Sequence, residues 1–166
     1  MIRSIADFEQ EWTATSSGSR KIFAQLTDAS LSQAIAHDSR TLGRIAWHIV
    51  QSLGELPGRL GLKIDAPAEH APVPSAAATI RDAYSRAADT LLGQVRAWSD
   101  ADLATEDDMY GERWTRGFSL RVLLEHEIHH RGQMTVLMRQ AGLSVPGLIG
   151  PAREDWAQWG MQPPAI

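Results

Sequence analysis

The chain has 166 residues, 43% of them hydrophobic, with 16 basic against 20 acidic side chains and a net charge of −4. That length suits one domain over residues 1–166, able to bury roughly 70% of the surface its unfolded chain exposes. The absence of cysteine excludes disulfides, thiolate metal sites and cysteine nucleophiles, and the acidic balance argues against a nucleic-acid partner.

Proline placement divides the chain. All eight prolines fall between Pro57 and Pro74 or between Pro146 and Pro164, leaving windows 1–56 and 75–145 free for long helices. Ile5, Phe8 and Trp12 begin an amphipathic pattern that resumes at Ile22, Phe23 and Leu26. The small, polar stretch from Thr13 to Ser19 predicts an irregularity between them. Ser39 is placed to cap a second helix carrying Leu42, Ile45, Ala46, Ile49 and Leu53, expected to end near Gly54 to Gly58 at Pro57. Ser75 is placed to cap a third, with Ala83, Ala87, Leu91 and Val95 at spacing four. A loop with Asp107, Asp108, Gly111 and Gly117 follows, with strand alternation at most briefly around Met109 to Thr115. Ser119 opens a fourth apolar-periodic run that ends at Ala141, where Gly142 suits the C-terminal cap. A short terminal helix is expected around Ala152 to Gly160, with Trp156 and Trp159. The pattern predicts an all-α four-helix bundle with one long crossover connection and a short C-terminal helix. No stretch of about 20 apolar residues spans a membrane. The acidic residues Asp7 and Glu9 stand where a signal peptide needs an apolar region, so a cytoplasmic location is expected.

The chemistry concentrates in His126-Glu127-Ile128-His129-His130-Arg131-Gly132-Gln133. At spacing four on a helix, His126 and His130 project from one face within reach of a single ion. At about 100° per residue they share a sector of roughly 80° with Leu123, Met134, Leu137 and Ala141, and so face the bundle interior. His129 points away from them. A lone inward histidine is ordinarily a hydrogen-bonded core residue, and a pair leaves the core and ligand readings evenly balanced. His48, between Ile45 and Ile49 on the second helix, supplies a third inward imidazole. His37 and His70 fall in expected loops.

A histidine in the helical run Ile45-Ala46-Trp47-His48-Ile49-Val50, followed some 80 residues later by His-x-x-x-His-Arg-Gly-Gln, resembles the DinB family of four-helix bundles. The closing Asp155-Trp156-Ala157-Gln158-Trp159-Gly160 is similar to that family's C-terminal segment, so the likeness covers nearly the whole chain. The resemblance implies that His48, His126 and His130 bind a divalent metal, zinc or nickel. It also implies a homodimer and a small-molecule substrate. Thiol-dependent S-transferases and isomerases of that family imply a low-molecular-weight thiol as a further cofactor, which here must come from outside the chain.

Three imidazoles on a zinc-like ion leave at least one position open, as a catalytic site requires. Two reaction classes follow, transfer to a thiol and hydrolysis. A non-catalytic metal-retaining stress or ligand-binding protein is the alternative, favoured if Glu127, Asp107 or Asp108 supplies a fourth ligand. His126-Glu127-x-x-His130 also matches the zincin pattern of metallopeptidases, with Glu127 as general base and Glu154 downstream as a third ligand. The small chain and the absence of a clear sheet count against that reading, while Glu127 stays a candidate catalytic base. Around the histidines, Gln133 is placed to fix a ligand tautomer, and Arg131 to pair with an acid or receive a substrate anion. Gly132 is placed to allow close helix approach. Trp47 and Trp114 serve either as walls of the site or as packing residues.

Overall fold

Ser4 accepts a hydrogen bond from the Asp7 amide and opens helix α1, Ile5–Gln25, in the computed structural model, which describes residues 1–165. Helices α2 (Leu42–Arg59), α3 (Ala77–Val95) and α4 (Arg116–Gln140) follow, with 3₁₀ turns at Ala29–Ser32, Asp100–Ala104 and Arg153–Trp159. Helix α1 packs against α3 and α4, and α2 packs against the same two, so α1 and α2 occupy opposite corners of an all-α bundle. The connections that cross between opposite corners are therefore residues 26–41 and 96–115. The proline-rich stretch, residues 60–76, joins the adjacent α2 and α3. Among the described residues no helix is long and apolar enough to cross a membrane.

The helix starts differ from the expected caps. Thr41 rather than Ser39 caps α2 by accepting from the Arg44 amide, and Thr115 rather than Ser119 caps α4 by accepting from the Phe118 amide. Helix α3 takes its cap from another part of the chain: the Asp28 carboxylate accepts from the Ala77 amide at 2.7 Å, so Ser75 is not needed. Helix α2 continues through Pro57 to Arg59, because a proline in the last turn forfeits only one ladder bond. The Pro57 carbonyl itself accepts from the Leu60 and Leu62 amides as the chain leaves the helix. At the far end of α4, Gly142 takes φ +73°, the left-handed conformation expected of a residue closing a helix.

Helix α1 is unbroken through Thr13 to Ser19, against the expected irregularity. Thr15, Ser16, Gly18 and Ser19 are buried, and they form a shallow face that receives two charged side chains from α4. The Ser19 hydroxyl donates to Glu127 Oε1 at 2.6 Å, and Arg131 Nη1 donates to the Thr15 carbonyl at 2.7 Å. A Cβ on Gly18 would lie 2.6 Å from that same nitrogen. The small residues are thus the complement of long buried ones, not a helix break.

The expected loop before α4 is an antiparallel hairpin, β1 (Glu106–Met109) and β2 (Glu112–Thr115), with Glu106 opposite Thr115 and Met109 opposite Glu112. Its two-residue turn places Tyr110 at φ +62° and Gly111 at φ +87°, the paired left-handed conformation that matches strand twist. The C-terminal helix is shorter wound than expected, a 3₁₀ turn over Arg153–Trp159 with none of its residues buried. It lacks an apolar face against the core to extend it.

Candidate metal centre

Helices α2 and α4 are neighbours, and their facing sides carry the histidines. His126 and His130 lie one turn apart on α4, and His48 comes from the second turn of α2. Their Nε2 atoms converge: His48 to His126 is 3.3 Å and His130 to His126 is 3.1 Å. One ligand atom from each of the three lies within 4.8 Å of the others, the arrangement of a group able to hold a metal ion. Nitrogens bonded to a tetrahedral ion at about 2.0–2.1 Å stand roughly 3.3 Å apart, so the spacing fits zinc-like coordination.

The protonation states leave lone pairs free for a metal. Burial pushes the His48 and His126 imidazoles down to about 4, assisted by the neighbouring histidines and by Arg40. Burial also lowers His130, partly offset by its hydrogen bond to Gln133. All three are therefore neutral at pH 7, with lone pairs available. His130 Nδ1 lies 2.8 Å from Gln133 Oε1, which places the proton on Nδ1 and leaves Nε2 to bind. The Gln133 amide nitrogen is 3.1 Å from His129 Nε2, so the exposed His129 buttresses this arrangement from outside.

The other candidate residues lie elsewhere. Glu127 is 1% exposed and faces α1 and α3, where its Oε1 accepts from Ser19 and, at 2.5 Å, from the Tyr84 hydroxyl. Burial raises the Glu127 carboxyl above its ordinary value, and its Oε2 has no partner. It is outside the three-histidine group, as are the acids considered as fourth ligands. Asp107 pairs with Arg116, Asp108 accepts from the Gly111 amide, and Glu154 pairs with Arg139. Arg131 is buried against the α1 backbone and, among the described residues, is paired with no acid within 4 Å. Gly132 faces open space rather than a neighbouring helix of this chain. Trp47 is a packing residue whose Nε1 donates to the Ala71 carbonyl. Trp114 anchors the hairpin by edge-on contacts to Tyr110 and Phe118. His37 and His70 are exposed in loops.

Two cavities flank the histidines. One, of about 450 Å³, has apolar walls from Ile35, Ile45, Val136 and Leu137 and reaches His130 and Gln133. The other, of about 510 Å³, is polar and reaches His48, with Gln51, Ser52 and Glu55 along α2. Arg40 lines both. Neither Arg40 nor the polar cavity's Tyr110 was singled out in the sequence. Both come from irregular backbone, where no helical period marks an inward position.

Known proteins resemble the chain in sequence and in fold. A family model described as the DinB family matches residues 1–161. An uncharacterized protein of Bacillus subtilis strain 168, YrdA, is 41% identical over the full length of both chains. The crystal structure of a DinB-like protein from Bacillus cereus superposes with a TM-score of 0.86 at 43% identity, covering 89% of this chain and 99% of that one. A second DinB-like protein, from Bacillus subtilis, shares the fold with a TM-score of 0.69 at 17% identity, covering 86% and 96%. The bundle, the histidine pattern and these matches agree: the chain belongs to the DinB family.

Proposed function

We propose that His48, His126 and His130 bind a divalent metal, zinc or nickel, and that the chain is a metal-dependent enzyme acting on a small molecule. The convergence of three neutral Nε2 atoms carries this reading, because uncharged imidazoles gain nothing from meeting lone pair to lone pair unless a cation or shared proton lies between them. A bound ion of this kind supplies Lewis acidity, which stabilises an anionic nucleophile at neutral pH. The chain's own residues do the rest. Gln133 holds the His130 tautomer, the buried faces of α2 and α4 fix the three rings, and the flanking cavities admit reactants. Since the chain contains no thiol, transfer to a thiol uses a low-molecular-weight thiol from solution, and hydrolysis is the other reaction class. A peptidase reading loses its general base, because Glu127 is turned toward Ser19 and Tyr84.

Metal analysis of the purified protein and of His48→Ala, His126→Ala and His130→Ala tests the site. The wild type is expected to hold about one ion per chain and each variant much less. Near-stoichiometric metal in the triple variant overturns the assignment. With metal established, a screen of thiols against electrophilic substrates, and of ester and amide hydrolysis, separates an enzyme from a metal-retaining binding protein. The open cavities on either side of the histidines favour the enzyme.

A further inference from the structure

The cleft beside the histidines is divided by chemistry. On one side Ile35 and Val136, 63% and 51% exposed, present large apolar surface to a cavity. Arg40 stands where this cavity meets the polar one, and Arg44 lines the polar side beside His48. Among the described residues nine arginines make ion pairs, but Arg40 and Arg44 make none with a carboxylate. Arg44 is held toward the cleft by donating to Gln51 Oε1 at 3.0 Å. The acids of the polar wall are Glu55 and Glu69, and the Glu55 carboxylate is already taken by Arg59 and the Tyr110 hydroxyl. With Arg59 set against Glu55, Arg40 and Arg44 outnumber the remaining acid, Glu69, and bring a net positive charge to the mouth of the histidine cluster, next to a greasy chamber of the size that holds small ligands.

From this juxtaposition we propose that the cleft recognises an apolar molecule carrying an anionic group, a carboxylate or a phosphate. The apolar body lies against Ile35, Ile45, Val136 and Leu137, and Arg40 with Arg44 receives the anion beside the histidines. Guanidinium groups suit both anions, because their forked donors match paired oxygens. As a statement about substrate this rests on the metal-site reading, but the binding it describes belongs to Arg40, Arg44 and the apolar wall.

Calorimetric titration with octanoate, octyl phosphate and 1-octanol tests it, on zinc-loaded protein and on protein stripped with a chelator. At least one of the two anions is expected to bind roughly tenfold or more tightly than 1-octanol, and to weaken as salt is raised. Whichever anion binds more tightly identifies the group. Arg40→Gln is expected to lose roughly tenfold for that anion, Arg40→Lys to recover part of it, and 1-octanol to be unaffected in either variant. The 1-octanol arm also reports that each variant retains its folded cleft. Equal binding of octanol and both anions, or unchanged anion binding in Arg40→Gln and Arg44→Gln, overturns the inference. Metal content measured on the same samples keeps the two readings apart. A wild type without metal defeats the site, whereas arginine-independent anion binding in metal-loaded protein defeats only this inference.

Discussion

Gln133 touches the histidine cluster through a single atom. Its Oε1 accepts a hydrogen bond from His130 Nδ1–H, and its amide nitrogen meets His129. Gln133→Leu removes the acceptor, letting the proton settle on either ring nitrogen, and is expected to lower metal affinity about 10–100-fold while the fold persists. Gln133→Glu keeps an acceptor and is expected to retain most of the affinity. Competition with a chromogenic chelator measures both, and equal affinity in Gln133→Leu would show that His130 orients itself. Glu127 gives the opposite expectation. Glu127→Gln should keep wild-type metal content, since the side chain bonds to Ser19 and Tyr84 rather than to the cluster. Glu127→Ala, which strands both hydroxyls, should cost about 3 kcal/mol in denaturant unfolding. The three histidines were legible because spacing four on one helix and a third inward imidazole survive any small error in helix boundaries. The burial of Glu127 and Arg131 was not read, because charged residues look like surface. Yet Leu120, Leu124, Glu127, Arg131, Met134 and Met138 alternate by four and three, and that period placed both charges on the buried face.

At the scale of elements, the pairing of α1 with α4 depends on small residues meeting large ones. Gly18→Ala places a methyl against Arg131 Nη1 and forces the guanidinium off the Thr15 carbonyl, at an expected cost of about 1–3 kcal/mol. Arg131→Met removes the colliding group, so Gly18→Ala should cost about 1 kcal/mol less in that background. Additive losses in this double-mutant cycle would show that the two positions do not meet. A polar run such as Thr13 to Ser19 reads as a helix break only while its partner is unknown, since the long side chains that fill it come from more than 100 residues away. The same limit hid the cap of α3, where Asp28 reaches Ala77 across 49 residues. Near the C-terminus, the Arg139 guanidinium holds the Glu154 carboxyl down to about 2 from its ordinary 4.5 and ties the last turn to α4. This depressed acid stabilises the docked turn above pH 4.5, and the contribution is lost as pH falls toward about 2. Backbone NOEs over residues 152–160 should therefore show increasing mobility through that range in the wild type, and little further change with pH in Arg139→Ala.

For the whole molecule, the helix count and the histidine-bearing pair of helices followed from periodicity, whereas the order of the corners did not. Residues 26–41 and 96–115 carry the crossings, and neither has the proline content that drew attention to residues 60–76. That proline-rich connection is instead fastened to α2, where Gln51 Nε2 lies 2.6–3.3 Å from the carbonyls of Ala68, Glu69 and Ala71. The chain thus bonds its connections to α2 and leaves the seam between α2 and α4 to side-chain packing and the histidines. An ion at the three imidazoles would cross-link that seam, which makes global stability a direct reporter of the site. At a free metal concentration a thousand times its dissociation constant, binding to the folded chain alone adds about 4 kcal/mol. In a domain of this size each kcal/mol raises the midpoint by about 2–4 °C, so thermal unfolding should move up by roughly 8–16 °C with zinc or nickel. His126→Ala, which removes the Nε2 that lies within 3.3 Å of both other histidines, should abolish that increment while leaving the metal-free midpoint within a few degrees of the wild type. An equal increment in His126→Ala would place the stabilising ion somewhere other than between α2 and α4.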